Sequence, residues 1–237
     1  MSKNRILTIE QIKESENQFI CKNSEEQLLN IAGEKIAIFL LNKFKRKTLL
    51  FVCGKGNNGQ DGVKASIFLG EKIKNKVFSV SKNYSKKNLN TLQSNIKSHE
   101  IIVDCLFGTG LNRPLSKFHQ KIIEIINKSK KKIISIDIPS GLNSDTGQPL
   151  GSSVIAHMTI CMGFYKPAHF LIPSKNNCGE KVLLKLPLKS PIKMSPKIHL
   201  LKNEKVYKSL PKHNNSINKY DKGCLLYTSD AADEFSC

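Results

Sequence analysis

Four glycines in nine residues, Gly54-Lys55-Gly56-Asn57-Asn58-Gly59-Gln60-Asp61-Gly62, constrain this chain more than any other stretch. An apolar run, Thr48 to Cys53, leads in and reads as a buried strand. Val63 to Leu69 leads out and reads as a helix. Strand, glycine turn and helix aim backbone N–H groups and a helix N-terminus at an anion. Gly54-x-Gly56-x-x-Gly59 satisfies the dinucleotide fingerprint, a weak signal by itself. An ordinary dinucleotide site also needs an acidic residue after the second strand, where this chain has Ser81-Lys82-Asn83. A phosphate P-loop needs Gly-Lys-Ser/Thr, which does not follow. The turn instead adds Asn57, Asn58 and Asp61, more polar groups than a tight turn requires.

The rest of the chain alternates in the same way. Thr8 with Gln11 and Ser24 with Gln27 have capping-box spacing, so residues 8–43 read as two helices. Gly33 falls inside the second and implies close packing against another element. Lys76–Ser81, Glu100–Phe107, Lys132–Ile138, Val154–Gly163 and Lys181–Leu186 read as further strands, the fourth of them ambiguous against a turn. Amphipathic spacing between Ser116 and Ser129 predicts a helix, and residues 86–98 a weaker one. Alternation of this kind implies right-handed βαβ units and a mostly parallel sheet.

In such a sheet ligands bind outside the carboxyl ends of the strands. Asn57 to Asp61, Asp104 with Gly108-Thr109-Gly110, Asp137 with Ser140, and Lys82 all fall there. A carboxylate in that position is a candidate acid, base or metal ligand. Asp104, Asp137, Asn58 and Ser140 offer only oxygen, which suits a large monovalent cation better than zinc. The six histidines form no metal or triad spacing and read as surface or packing residues. Ser140 lacks a nucleophile elbow.

The net charge of +19 is spread along the chain beside many asparagines and isoleucines. It fits loose polyanion attraction, with no specific nucleic-acid function expected. Seven scattered cysteines without CxxC suit a reducing compartment, and no stretch approaches a membrane-spanning length, so a cytoplasmic protein is expected.

Three segments resemble, in order and spacing, the NAD(P)HX epimerase family, the YjeF N-terminal domain. They are Gly54 to Gly62, Val103 to Leu111 and Ser135 to Gly147. Leu28-Leu29-Asn30-Ile31-Ala32-Gly33 is similar to the family's N-terminal helix signature. The resemblance covers roughly residues 5–188 and implies a three-layer αβα Rossmann-like sandwich with a mostly parallel central sheet, two N-terminal helices, and a homodimer. It implies a metabolite-repair enzyme that interconverts the R and S epimers of hydrated NADH or NADPH for an S-specific, ADP/ATP-dependent dehydratase. Asn57, Asn58, Gly59, Gln60 and Asp61, the loop Gly108, Thr109, Gly110, Leu111, Asn112, Arg113 and Pro114, and Asp137 would hold substrate. Asp137 would be catalytic as proton donor, with Lys82 as a second candidate. Asn58, Asp104 and Ser140 would bind one K⁺ per subunit. Gln60 stands where the family usually has glycine, so the local loop geometry is in question.

Past Pro187 prolines and lysines accumulate, and residues 189–226 read as a linker followed by the start of a truncated dehydratase domain. Ile217 to Leu226 resembles that domain's opening. Residues 227–237 differ in composition from the rest and read as a non-native or disordered tail. The alternative to the enzyme is a non-catalytic module of the same domain that binds RNA.

Overall fold

In the computed structural model, which describes residues 5–80, 86–193 and 198–200, the chain opens with a two-residue strand, β1 (Arg5–Ile6). Two helices follow, α1 (Ile9–Ile20) and α2 (Glu25–Phe44). Gln11 Oε1 accepts from the Thr8 N–H at 3.0 Å, and Ser24 Oγ from the Gln27 N–H at 3.1 Å, so both helices start where the capping residues place them.

The elements that follow are β2 (Leu49–Cys53), α3 (Asn57–Leu69), β3 (Asn75–Ser79), α4 (Lys86–Lys97), β4 (Ile101–Cys105) and α5 (Lys117–Lys128). Next come β5 (Lys132–Ile136), β6 (Met158–Met162), β7 (Glu180–Leu184) and β8 (Ile198–His199). Six strands pair in parallel in the order β3-β2-β4-β5-β6-β7. The ambiguous fourth stretch is thus a strand, fully buried over Met158–Met162.

Strand alternation divides the core. Leu49, Phe51, Cys53, Ile101, Val103, Ile134 and Ile136 pack with residues of α2 and α3 on one face. Leu50, Val52, Ile102 and Ile133 pack with residues of α4 and α5 on the other. Both faces are covered, so the central strands are continuous apolar runs, as buried parallel strands are. The chain reverses its direction of sheet growth between β2 and β4, which neighbour each other. A crevice opens at such a switch point beyond the strand ends.

Close approach explains the glycines here. A Cβ on Gly33 would lie 2.5 Å from Lys64 Cβ, so α2 presses on α3 at that point. A Cβ on Gly54 would lie 2.0 Å from Leu106 O, and one on Gly59 2.0 Å from Gly54 O. At Gly62 it would meet Cys105 Sγ at 2.6 Å. The helix therefore starts flush against the tips of β2 and β4.

Beyond β7 the chain returns to the N-terminus. β8 pairs antiparallel with β1, and Glu14 Oε1 accepts from the Ile192 and Lys193 N–H groups, each at 2.7 Å. Residues 201–237, including the stretch similar to a dehydratase opening, lie outside the described residues.

Candidate active site

The glycine stretch is less of a loop than its composition predicts. Gly56 caps α3 in extended geometry, and Asn57, Asn58, Gly59, Gln60 and Asp61 already form its first turns. The local reason is Gly59 and Gly62, which let the helix begin against the sheet. The first N–H groups of a helix have no partner within it, and Gly56, Asn57 and Asn58 at the start of α3 all line an open cavity. Gln60 is helical and exposed, and positive φ occurs at other residues. The glutamine therefore fits without backbone strain, with its side chain turned outward.

These groups border a cavity of about 1300 Å³. That exceeds the roughly 300–1,000 Å³ usual for a small-molecule pocket and suits an extended ligand such as a dinucleotide. Asn57, Asn58, Gln60, Asp61, Gly108 to Arg113 and Asp137 all line it. Gly59 and Pro114 do not. Lys82 lies outside the described residues.

Asp137 follows β5 directly and is held from several sides. Its φ is +68°, a left-handed conformation costly for a residue with a Cβ. Its N–H donates to Ile160 O at 2.8 Å. Oδ2 accepts from the Thr109 N–H at 3.2 Å, so that N–H of the 108–114 loop is committed to Asp137. Oδ1 accepts from Lys166 Nζ at 2.5 Å, a buried ion pair. Lys166 Nζ also donates to Met162 O at 2.6 Å. The main-chain oxygen of Asp137 is 2.8 Å from His169 Nε2.

Lys166 and His169 are the residues that sequence reasoning missed. They follow β6 in Phe164-Tyr165-Lys166-Pro167-Ala168-His169. A polar group just past a buried strand was the available signal, blurred by the ambiguity of that strand. His169 is fully buried and belongs to the site's support, not to the surface. Burial, then the neighbouring Lys166, pushes its imidazole pKa down to about 4, so it is neutral at ordinary pH.

Acid groups gather at the same end. Burial first, then the charges of Asp137 and Glu16, raise Asp61 to about 7. Burial and Asp137 likewise raise Glu16, which α1 supplies to the cavity wall. One carboxylate sits in an ion pair while a second, nearby, holds its proton to neutrality.

Asp104 and Ser140 lie behind the cavity wall, and they do not line it. Asp104 is wholly buried within β4. Its Oδ2 accepts from Ser135 Oγ at 2.8 Å and the Ser140 N–H at 2.9 Å. Its Oδ1 accepts from Ser140 Oγ at 2.6 Å. The Phe107 N–H donates to Ser140 Oγ at 2.9 Å. This network ties the Ser140 turn to the 108–114 loop. Burial raises the Asp104 pKa. Asn58 is buried, and neither its Oδ1 nor its Nδ2 has a partner among the described residues. The orphaned Asn58 Oδ1, taken with the Asp104 carboxylate and the Ser140 hydroxyl, is the oxygen donor chemistry that a hard cation takes. Among the described residues no three His, Cys, Asp or Glu side chains cluster as metal ligands.

Similar proteins carry the same domain. A bifunctional NAD(P)H-hydrate repair enzyme Nnr from Thermofilum pendens is 34% identical in an alignment of 181 residues that covers 66% of this chain and 34% of that protein. This chain thus spans about a third of that relative's length. An NAD(P)H-hydrate epimerase from Elusimicrobium minutum is 32% identical over 192 residues, covering 69% of this chain and 86% of the relative. The crystal structure of yeast ynu0 superposes with a TM-score of 0.59 at 19% identity, over 76% of this chain and 87% of that one, a likeness of fold. The family described as YjeF-related protein N-terminus matches residues 25–98 and 71–168, which span both the glycine stretch and Asp137, and the chain belongs to that family.

Proposed function

We propose that this domain epimerises hydrated NADH or NADPH, converting the R form to the S form that a dehydratase restores. The observation that carries the reading is the gathering of Asp137, Asp61 and Glu16 around one cavity that the first turn of α3 and the 108–113 loop also line. The helix end and the 108–113 loop, with Arg113, favour the pyrophosphate. The carboxyl groups favour a ring that becomes cationic. The names of similar proteins, an epimerase and a bifunctional repair enzyme, agree with this activity.

The chemistry follows from the groups present. C6 of the hydrated nicotinamide bears a hydroxyl next to the ring nitrogen. The nitrogen lone pair forms a C=N⁺ bond as the C6–O bond breaks. The departing oxygen takes a proton from Asp61 and leaves as water. Water then adds to the other face and returns its proton to Asp61. Asp137 is paired with Lys166, so its part is to stabilise the cation electrostatically. The proton role expected of Asp137 therefore passes to Asp61, the carboxyl that is protonated near neutrality.

Asn58, Asp104 and Ser140 would hold a potassium ion, which when bound supplies positive charge that fixes the two loops beneath the ligand. A homodimer is part of the reading, and exposed Ile67 and Phe68 on α3 offer apolar surface for it. Among the described residues no helix is long and apolar enough to cross a membrane. Among the described residues five cysteines are free and four of these are buried, which supports a reducing, cytoplasmic setting.

The test incubates the protein with pure (R)-NADHX and an S-specific, ADP-dependent dehydratase. NADH recovery faster than spontaneous epimerisation is expected. Recovery at the spontaneous rate refutes the reading.

A further inference from the structure

We infer that Lys166 is the positioning residue of this site, clamping Asp137 from both its side chain and its main chain, an inference that rests on the epimerase reading. The side chain of Lys166 is 2% exposed and that of Asp137 11%. The ammonium is therefore behind the carboxylate, and a ligand in the cavity meets Asp137 first. Lys166 acts through Asp137.

Two routes connect the residues. Lys166 Nζ grips Oδ1 at 2.5 Å and is itself fixed by Met162 O at 2.6 Å, the last residue of β6. The second route passes through His169. The backbone N–H of Lys166 donates to His169 Nδ1 at 3.0 Å. An Nδ1 that accepts leaves the ring proton on Nε2. Nε2 then donates to the Asp137 carbonyl at 2.8 Å. Lys166 stands in extended geometry, φ −114° and ψ 156°, before Pro167, a residue that disfavours helical geometry in its predecessor.

This arrangement does more than satisfy a buried charge. Asp137 is one of two described residues other than glycine with positive φ. Such a conformation persists where the surroundings over-determine it. Four contacts do so here: Ile160 O on the N–H, His169 on the C=O, Lys166 on Oδ1 and Thr109 on Oδ2. Two of the four trace to Lys166. A buried ion pair is weak evidence for stability, since an apolar pair of equal volume often does as well. Its place at the rear wall of the cavity, aimed at the carboxylate, marks it instead as orientation of that carboxylate.

The experiment is a double-mutant cycle on the whole chain, with Lys166→Met, Asp137→Asn and the two together, read as kcat and KM in the coupled (R)-NADHX assay. The double variant carries no unpaired buried charge, which guards against a fold lost through the single change. Lys166→Met is expected to lower kcat by about 100-fold or more, with KM changed by less than about threefold. The double variant is expected to be no slower than Asp137→Asn alone, as for residues acting as one unit. Losses that multiply, or a Lys166→Met protein as active as the unsubstituted one, overturn the role while leaving the epimerase standing. A wild-type protein with no turnover overturns the epimerase reading and the role together.

Discussion

Replacing Asp61 by asparagine changes how stability depends on pH, and the direction follows from its surroundings. The carboxyl titrates at about 7 in the folded chain against 3.8 ordinarily, through burial first and then the charges of Asp137 and Glu16. Between these values the unfolded chain is ionised and the folded chain keeps its proton. Unfolding therefore releases a proton, and raising the pH favours the unfolded state. The contribution is fully present below about pH 4 and is lost by about pH 7, after which the loss is constant. A shift of about three units corresponds to about 4 kcal/mol. Water reaching the partly buried side chain makes that a ceiling. Asparagine has nearly the same shape and nothing to ionise. The stability of Asp61→Asn relative to wild type should rise by about 2–3 kcal/mol between about pH 5 and pH 8. Urea unfolding at a series of pH values measures this, with unchanged m-values showing that the same transition is compared. Parallel curves for the two proteins, or an advantage growing toward acid, would refute the reasoning. The same substitution removes the proposed proton carrier, so turnover should fall by about 100-fold or more.

Gly54→Ala should cost several times the roughly 1 kcal/mol of an ordinary glycine-to-alanine strain, because its Cβ would sit 2.0 Å from Leu106 O, a backbone atom that cannot turn aside; thermal unfolding with Gly56→Ala as the tolerated control checks this. Gln60→Gly, which restores the residue usual in the family, should lower stability by about 0.5–1 kcal/mol and leave KM near its starting value, since position 60 is helical and exposed. Replacing choline chloride by potassium chloride at equal ionic strength should raise the melting temperature of wild type and not of Asn58→Leu, because the buried amide of Asn58 is otherwise unpartnered; equal shifts in both proteins would show that Asn58 holds no ion.

The sheet and its order of elements were legible because its four central strands are buried on both faces. Leu49–Cys53 and Ile101–Cys105 are apolar runs bounded by glycine or polar turns, and such runs have few other places to go. The capping residues Thr8 and Ser24 marked the helix starts for the same local reason. Less legible was the start of α3. Four glycines read as a loop, whereas three of them are there because the helix touches the sheet. Composition does not separate a glycine needed for flexibility from one needed for contact; only the neighbour across the gap, Leu106 O or Cys105 Sγ, does so.

The site divides along the same line. Asn58, Asp61 and Asp137 sit in segments whose chemistry is continuous in sequence, so they could be named. Lys166 and His169 could not, because their meaning lies in where β6 falls. That strand pairs Ile136 with Ile160, which brings the tip of β6 beside Asp137 and puts Lys166, from an unremarkable Tyr165-Lys166-Pro167, in the back wall of the cavity. Asp104 shows the converse. As a carboxylate at a strand end it reads as a candidate acid, yet both its oxygens are engaged by Ser135, Ser140 and Leu106. Its reach to the cavity is through the Ser140 turn and the Phe107 N–H, so this carboxylate sets the shape of the loop, whereas Asp61 faces the cavity and carries the proton in the proposed reaction.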